Sequence, residues 1–152
     1  MHEGRPPQGR SDSVHLLLFP KYQALPDGDY LLAEWEKIRG VRESVLKSLE
    51  GARQGGMIGN SLEAKVVLRA AGEMAALLRR HENDLRYIFI VSRVEVKEDP
   101  GAGETLQIEV LKAEGQKCER CWNYSVEVGK DQMRPTLCER CIPAILEITN
   151  YE

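Results

Sequence analysis

Four cysteines lie in two identically filled pairs near the end of the chain, Cys118-Glu-Arg-Cys121 and Cys138-Glu-Arg-Cys141, with sixteen residues between them. A two-residue turn brings both sulfurs of a Cys-x-x-Cys pair to one side, where each thiolate reaches a zinc ion at about 2.3 Å. Two such turns complete a tetrahedron, and a loop of this length closes at moderate entropic cost. Four thiolates leave no open coordination position, so a site of this kind is structural rather than catalytic. The expected cofactor is one structural Zn2+ held by Cys118, Cys121, Cys138 and Cys141. Iron in a similar sulfur cage is a rival. Four reduced thiols, or a redox pair, leave the repeated Glu-Arg filling without a reason.

Around zinc, four thiolates carry a net charge of about -2. Arg120, Arg140, Lys130 and Arg134 stand nearby in the sequence. Each either neutralises the cage or contacts an RNA phosphate. Trp122 and Tyr124 follow the first pair directly. Their rings either stack on an unpaired base or cover a core too small to stand alone.

No other segment carries catalytic spacing. His2, His15 and His81 are isolated from the cysteines, and Gly55-Gly56-Met57-Ile58-Gly59 lacks the Lys-Ser/Thr that completes a phosphate loop. The carboxylates are scattered, so no catalytic residue is expected.

The 152 residues are 42% hydrophobic and 30% charged, enough for one core or two small ones. A formal charge of -3 gives no strong global attraction to nucleic acid. The modest basic excess, +2, sits in residues 29–81. No apolar run is long enough for a membrane span, and the first twenty residues have no apolar signal core. A cytoplasmic protein is therefore expected, and its cysteines need an explanation other than disulfides.

The elements that must carry the cysteines come out as an α+β chain: a long amphipathic helix, then a small β-α-β-β layer, then a four-cysteine zinc-knuckle tail. Residues 1–28 read as a flexible tail and connector, with Leu16-Leu17-Leu18-Phe19 as an apolar plug. Leu31, Trp35, Ile38, Val41, Val45, Leu49 and Ala52 recur at steps of three and four, which predicts a helix over 29–56 with Asp29 as N-cap and Gly55-Gly56 as its stop. That stripe requires partners, and little precedes it here. Residues 57–116 form the α+β unit. In it Ile58 to Arg69 alternates as a strand entered by a turn at Gly59-Asn60, and Glu73 to about Leu85 is a helix. Tyr87 to Val91 reads as a buried strand continuing as the alternation Val94, Val96, and Leu106, Ile108 and Val110 as the returning strand of a mainly antiparallel sheet covered on one face by the helix. Residues 117–152 hold the cysteines, and Pro143 starts a last helical turn whose Ile145 and Ile148 fold onto the knuckles.

Trp35-Glu-Lys-Ile-Arg-Gly-Val-Arg42, Leu49-Glu-Gly-Ala-Arg53 and Ile58-Gly-Asn-Ser-Leu-Glu-Ala64, followed by Lys117-Cys-Glu-Arg-Cys-Trp-Asn-Tyr124 and Leu137-Cys-Glu-Arg-Cys141, resemble the C-terminal region of bacterial-type isoleucyl-tRNA synthetases. Val14-His-Leu with Phe19-Pro20 resembles the lead-in, so the likeness spans about Ser13 to Ile142. It implies that residues 29–56 are the last helix of an anticodon-binding bundle and that the tail is a zinc-binding peptide. It also implies a parent enzyme that joins isoleucine to tRNA(Ile) with ATP. The His-Ile-Gly-His and Lys-Met-Ser-Lys-Ser motifs of that family's ATP site are not in this sequence, so ATP belongs to the full-length enzyme alone. The chain thus reads as a C-terminal fragment or detached domain, without chemistry of its own. Its implied partners are tRNA(Ile) and the remaining synthetase domains, as a monomer and without a membrane. The implied RNA contacts are Trp122, Arg120, Arg140, Arg39, Arg42 and Arg53. The alternative is a zinc-bearing interaction module that docks onto the rest of the synthetase without touching RNA. A free-standing zinc-ribbon protein is a third reading, opposed by the unpartnered stripe.

Overall fold

The computed structural model describes residues 23–102 and 105–149. His2, His15 and most of the expected connector, including Leu16 to Phe19, lie outside the described residues. Helix α1 runs from Gly28 to Gln54. Its N-cap is Asp27, without a side-chain cap bond, rather than Asp29, which sits in the first turn where its charge suits the helix dipole. Gly55 caps the other end, and Gly56 takes φ 73° to turn the chain away, as the glycine pair predicts.

The buried face of α1 is Glu34, Ile38, Val41, Val45 and Leu49, which displaces the expected stripe at its start. Leu31 and Trp35 are 39% and 43% exposed. Glu34 replaces them because a charged partner, Arg80, arrives from elsewhere in the chain. Arg80 donates to its Oε1, Tyr30 Oη donates to the same oxygen at 3.3 Å, and His81 Nε2 lies 3.4 Å from Oε2. A carboxylate is rarely buried unless it is paired in this way.

A short 3-10 turn at Ser61–Glu63 precedes strand β1, Ala64–Ala70. Asn60 caps that turn through Oδ1, which accepts from Leu62 N–H at 2.9 Å, as the expected entering turn requires. The strand itself starts six residues later than the alternation predicts. Helices α2 (Gly72–Arg80) and α3 (Glu82–Phe89) cross to strand β2 (Arg93–Glu98), and β3 (Gln107–Lys112) follows. The sheet order is β2-β1-β3. The β1–β2 pair is parallel, with Val66 opposite Val94, and the β1–β3 pair is antiparallel, with Val66 opposite Val110.

Three expectations are corrected here. The layer is β-α-α-β-β, because the single expected helix breaks at His81. The sheet is mixed rather than mainly antiparallel, since the α2–α3 crossover returns β2 parallel to the central β1, while β3 pairs antiparallel with β1 and not with its sequence neighbour β2. Tyr87 to Val91 is not a strand: α3 continues to Phe89 and ends in a left-handed turn at Ile90, where Val91 N–H returns to Arg86 O at 3.0 Å. Helical spacing buries Leu85 and Phe89 while leaving Tyr87 and Ile90 exposed.

One core joins these elements. Val41, Val45 and Leu49 of α1 pack with Val66, Leu68, Leu78, Leu85, Phe89 and Val91. The second half of α1 therefore finds its partners inside the chain, while Leu31, Leu32 and Trp35 near its start remain exposed.

Ile90 has φ 57° and ψ 55°, a conformation that costs an L residue roughly 1–2 kcal/mol and suits a β-branched one especially badly. Its side chain is 55% exposed and supports little packing. Ile90→Gly is expected to raise stability by about 0.5–1 kcal/mol despite the added unfolded-state entropy. Thermal or urea unfolding reads this directly, and a destabilised variant would contradict it.

Candidate metal centre

The tail begins with a two-stranded ribbon, β4 (Gln116–Lys117) and β5 (Tyr124–Ser125), with Gln116 opposite Ser125 and Lys117 opposite Tyr124. Gly115, at φ +87°, lets these strands close: a Cβ there would stand 2.2 Å from Ser125 O. The first knuckle joins the two strands. Cys118 N–H donates to Asn123 O and Trp122 N–H to Cys118 O, both at 2.9 Å, with Trp122 at φ 65° to complete the turn. The second knuckle runs into helix α4, Cys141–Thr149, through Cys141 N–H to Cys138 O at 2.9 Å. Glu119 N–H donates to Thr136 O at 3.1 Å and ties the two knuckles together.

The four Sγ atoms all lie within 4.8 Å of one another, and the Cys121–Cys138 pair is 3.6 Å apart. A tetrahedron with bonds of about 2.3 Å has edges of about 3.8 Å, so the cage matches one zinc ion. Cys118, Cys138 and Cys141 are buried and Cys121 is half-buried. Cys138 N–H points at Cys118 Sγ from 3.4 Å, the kind of donor that steadies a thiolate. Among the described residues, Val128 and Leu137 are the aliphatic side chains clustered with the cysteines, a core far too small to hold the tail by burial alone.

The donor set itself calls for a cation. Burial pushes the Cys138 thiol up to about 12 and raises Cys141 as well. At Cys121 burial acts in the same direction, but hydrogen bonds from Asn123 and the adjoining thiols outweigh it and bring the group down to about 6. Sulfurs this close cannot all ionise side by side without a compensating charge, which a dication supplies.

Arg120 and Arg140 turn toward this centre. Arg120 Nη1 lies 3.7 Å from Cys141 Sγ. Arg140 stacks over the Tyr87 ring, 5.3 Å from its centroid, and Tyr87 first and Cys121 next hold the guanidinium's pKa above its usual range. Lys130 pairs instead with Glu127 at 2.6 Å. Trp122 is 60% exposed, so the indole does not cover the cage, and Lys117 Nζ sits 4.9 Å over its face. Tyr124 is half-buried, and its backbone N–H donates to Ser92 Oγ at 2.7 Å. The expected contacts on α1 are scattered: Arg39 pairs with Glu36 and Arg53 with Glu50 on the exposed side, whereas Arg42 Nε donates to Ile88 O at 3.0 Å. The Ile148 side chain lies outside the described residues, and α4 starts at Cys141, with Pro143 inside its first turn.

Sequence reasoning missed Tyr87 and Ser92. Each meets the tail across more than thirty residues, a pairing that no local spacing shows. Among the described residues, no helix is long and apolar enough to cross a membrane.

Residues 115–144 match the family described as a zinc finger found in FPG and IleRS, which together with the cage supports a single structural zinc. The chain is 43% identical over 149 residues to an isoleucine–tRNA ligase of Carboxydothermus hydrogenoformans, covering 95% of this chain and 16% of that protein. It is 41% identical over 150 residues to the isoleucine–tRNA ligase of Geobacter sulfurreducens, covering 93% and 16%. It is 46% identical over 137 residues to that of Dichelobacter nodosus, covering 90% and 14%. The chain thus spans about one-sixth of the length of these curated relatives.

Proposed function

We propose, from this similarity to the C-terminal region of isoleucine–tRNA ligases, that the chain supplies a tRNA(Ile)-facing surface to such an enzyme. The observation that carries the reading is identity of 41–46% running through both the layer and the tail. The whole enzyme would join isoleucine to its tRNA with ATP in the cytoplasm. This part would contribute positioning, with Cys118, Cys121, Cys138 and Cys141 holding zinc and no catalytic residue.

Zinc would organise the knuckles in advance and so reduce the ordering entropy lost on binding. Trp122 is the best-placed RNA contact, an exposed indole already carrying a cation on one face. Arg39 and Arg53 present exposed guanidinium groups for phosphates. Arg120 and Arg140 would act through the cage, whose negative charge they offset. The start of α1, with Leu31, Leu32 and Trp35 exposed, is the surface proposed to meet the remaining synthetase domains, residues 29–56 closing an anticodon-binding bundle.

One observation favours a docking module without RNA contact: Arg120 and Arg140 are already occupied by a thiol and a phenol. A tRNA(Ile) titration of the zinc-loaded monomeric chain separates the two. The RNA reading expects weak binding that falls steeply with salt, and a further loss of about 5- to 150-fold in Trp122→Ala, the range for one stacked base. Charge reversal at Arg120 and Arg140 with unchanged zinc content reports their own share. Binding indifferent to salt and to Trp122 would favour the docking module.

A further inference from the structure

The direction in which the tail presents Trp122 depends on how it is held to the layer. Neither β4, β5 nor α4 packs broadly on the sheet or on α1 to α3. A cleft of 770 Å3, with Tyr87, Ser92, Tyr124 and Ser125 in its wall, opens between tail and layer. Tyr124 N–H to Ser92 Oγ at 2.7 Å, and the Arg140 guanidinium over the Tyr87 ring at 5.3 Å, are polar contacts across this junction among the described residues. The first is anchored in turn, since Ser92 Oγ donates to Leu62 O at 2.5 Å. A single hinge-like backbone contact allows rotation about itself, and a second contact at a distance removes that freedom.

We propose that Tyr87 is a positioning residue: it grips Arg140, and through it the second knuckle of the zinc cage, so that α3 sets the direction in which Trp122 faces its partner. The ring is 51% exposed and adds little to the core, so its packing does not explain its place. Its contacts are with arginines. Arg86 lies 4.7 Å from the ring centroid on the same helix, and its Nη2 donates to the phenol oxygen at 2.7 Å, fixing the hydroxyl. The Arg140 and Arg86 guanidinium groups hold the Tyr87 phenol below its ordinary pKa, as expected for an oxygen facing two cations. Arg140 itself lies in the second knuckle, between Cys138 and Cys141, so its hold on the Tyr87 ring ties α3 to the zinc cage. A planar guanidinium can stack and donate sideways at once, which an ammonium cannot. The consequence for Trp122 rests on the tRNA reading above; the grip itself does not.

The test uses the zinc-loaded chain carrying Tyr87→Ala or Tyr87→Phe. Residual dipolar couplings of backbone amides report whether layer and tail share one alignment tensor. The expected result is one zinc per chain in both variants, a tail that no longer shares the tensor of the sheet in Tyr87→Ala, and substantial recovery in Tyr87→Phe, which keeps the ring face. With it, tRNA affinity drops about two- to fivefold in Tyr87→Ala, the size of one exposed cation–π contact. A common tensor retained in Tyr87→Ala, or loss of zinc from it, overturns the proposal. Separate tensors with unchanged tRNA affinity overturn the link to Trp122. A parent chain that binds no tRNA overturns the proposed function instead, and the tensors alone then decide the grip.

Discussion

Stripping zinc from the loaded chain with a strong chelator is expected to melt the tail from Lys117 to Thr149 while the mixed sheet stays folded. The tail has two short strands, one helix and a buried set made almost wholly of its own ligands. Metal binding contributes about 10–16 kcal/mol in small structural zinc units, far more than Val128 and Leu137 can replace. The layer stands apart energetically: its core runs from Val41 to Val96 and includes no cysteine. Hydrogen exchange should therefore lose protection in the ribbon and α4 and keep it in β1 and α3. Elemental analysis should return one zinc per chain beforehand. Acidification should act as the chelator does, because the ligands are thiolates: as pH falls protons compete for sulfur and the ion leaves, and as pH rises affinity recovers. Cys138→Ser should reproduce the apo state without any chelator. A tail that keeps its protection when metal-free would contradict a zinc-built scaffold.

The metal centre was legible because its information is local. Two Cys-x-x-Cys turns fix their own geometry, and the fold has only to bring two turns together. The long helix was legible for the same reason, since a repeat of three and four residues is a statement about near neighbours. What failed depends on distant partners. Glu34 takes the place expected for Leu31 and Trp35 because Arg80 arrives 46 positions later and pairs it. The β3 strand joins β1 rather than its sequence neighbour β2, although each has an open edge, and no short-range pattern encodes that choice. Arg42 is turned to Ile88 O, and Arg140 to Tyr87, by contacts that charge counting along the chain cannot separate from a phosphate site. Tyr87 to Val91 failed differently. Five consecutive apolar residues fit a buried strand or a helix end equally well, and periodicity alone does not arbitrate over so short a run.

That ambiguity has a thermodynamic signature. In a strand, Tyr87, Phe89 and Val91 would share one face and Ile88 and Ile90 the other, so truncating Tyr87 or Phe89 would cost alike. In α3 the pairing is Leu85 with Phe89, one turn apart and both fully buried. Phe89 is the bulkiest of the fully buried side chains and touches the core shared by α1 and the sheet. Phe89→Ala is expected to cost about 3–5 kcal/mol, through lost transfer energy and the cavity left behind. Ile90→Ala, one residue on, is expected to change stability by no more than about 0.5 kcal/mol, because its side chain points to solvent. Against a total of about 5–15 kcal/mol for a domain, the Phe89 loss approaches the whole, so Phe89→Leu, expected to cost less than about 1.5 kcal/mol, keeps the position measurable. Denaturant midpoints for the layer, followed by fluorescence of Trp35 in a Trp122→Phe background, give the comparison. Equal costs at Phe89 and Ile90 would remove the helical register of α3, and with it the placement of Tyr87 beside Arg140.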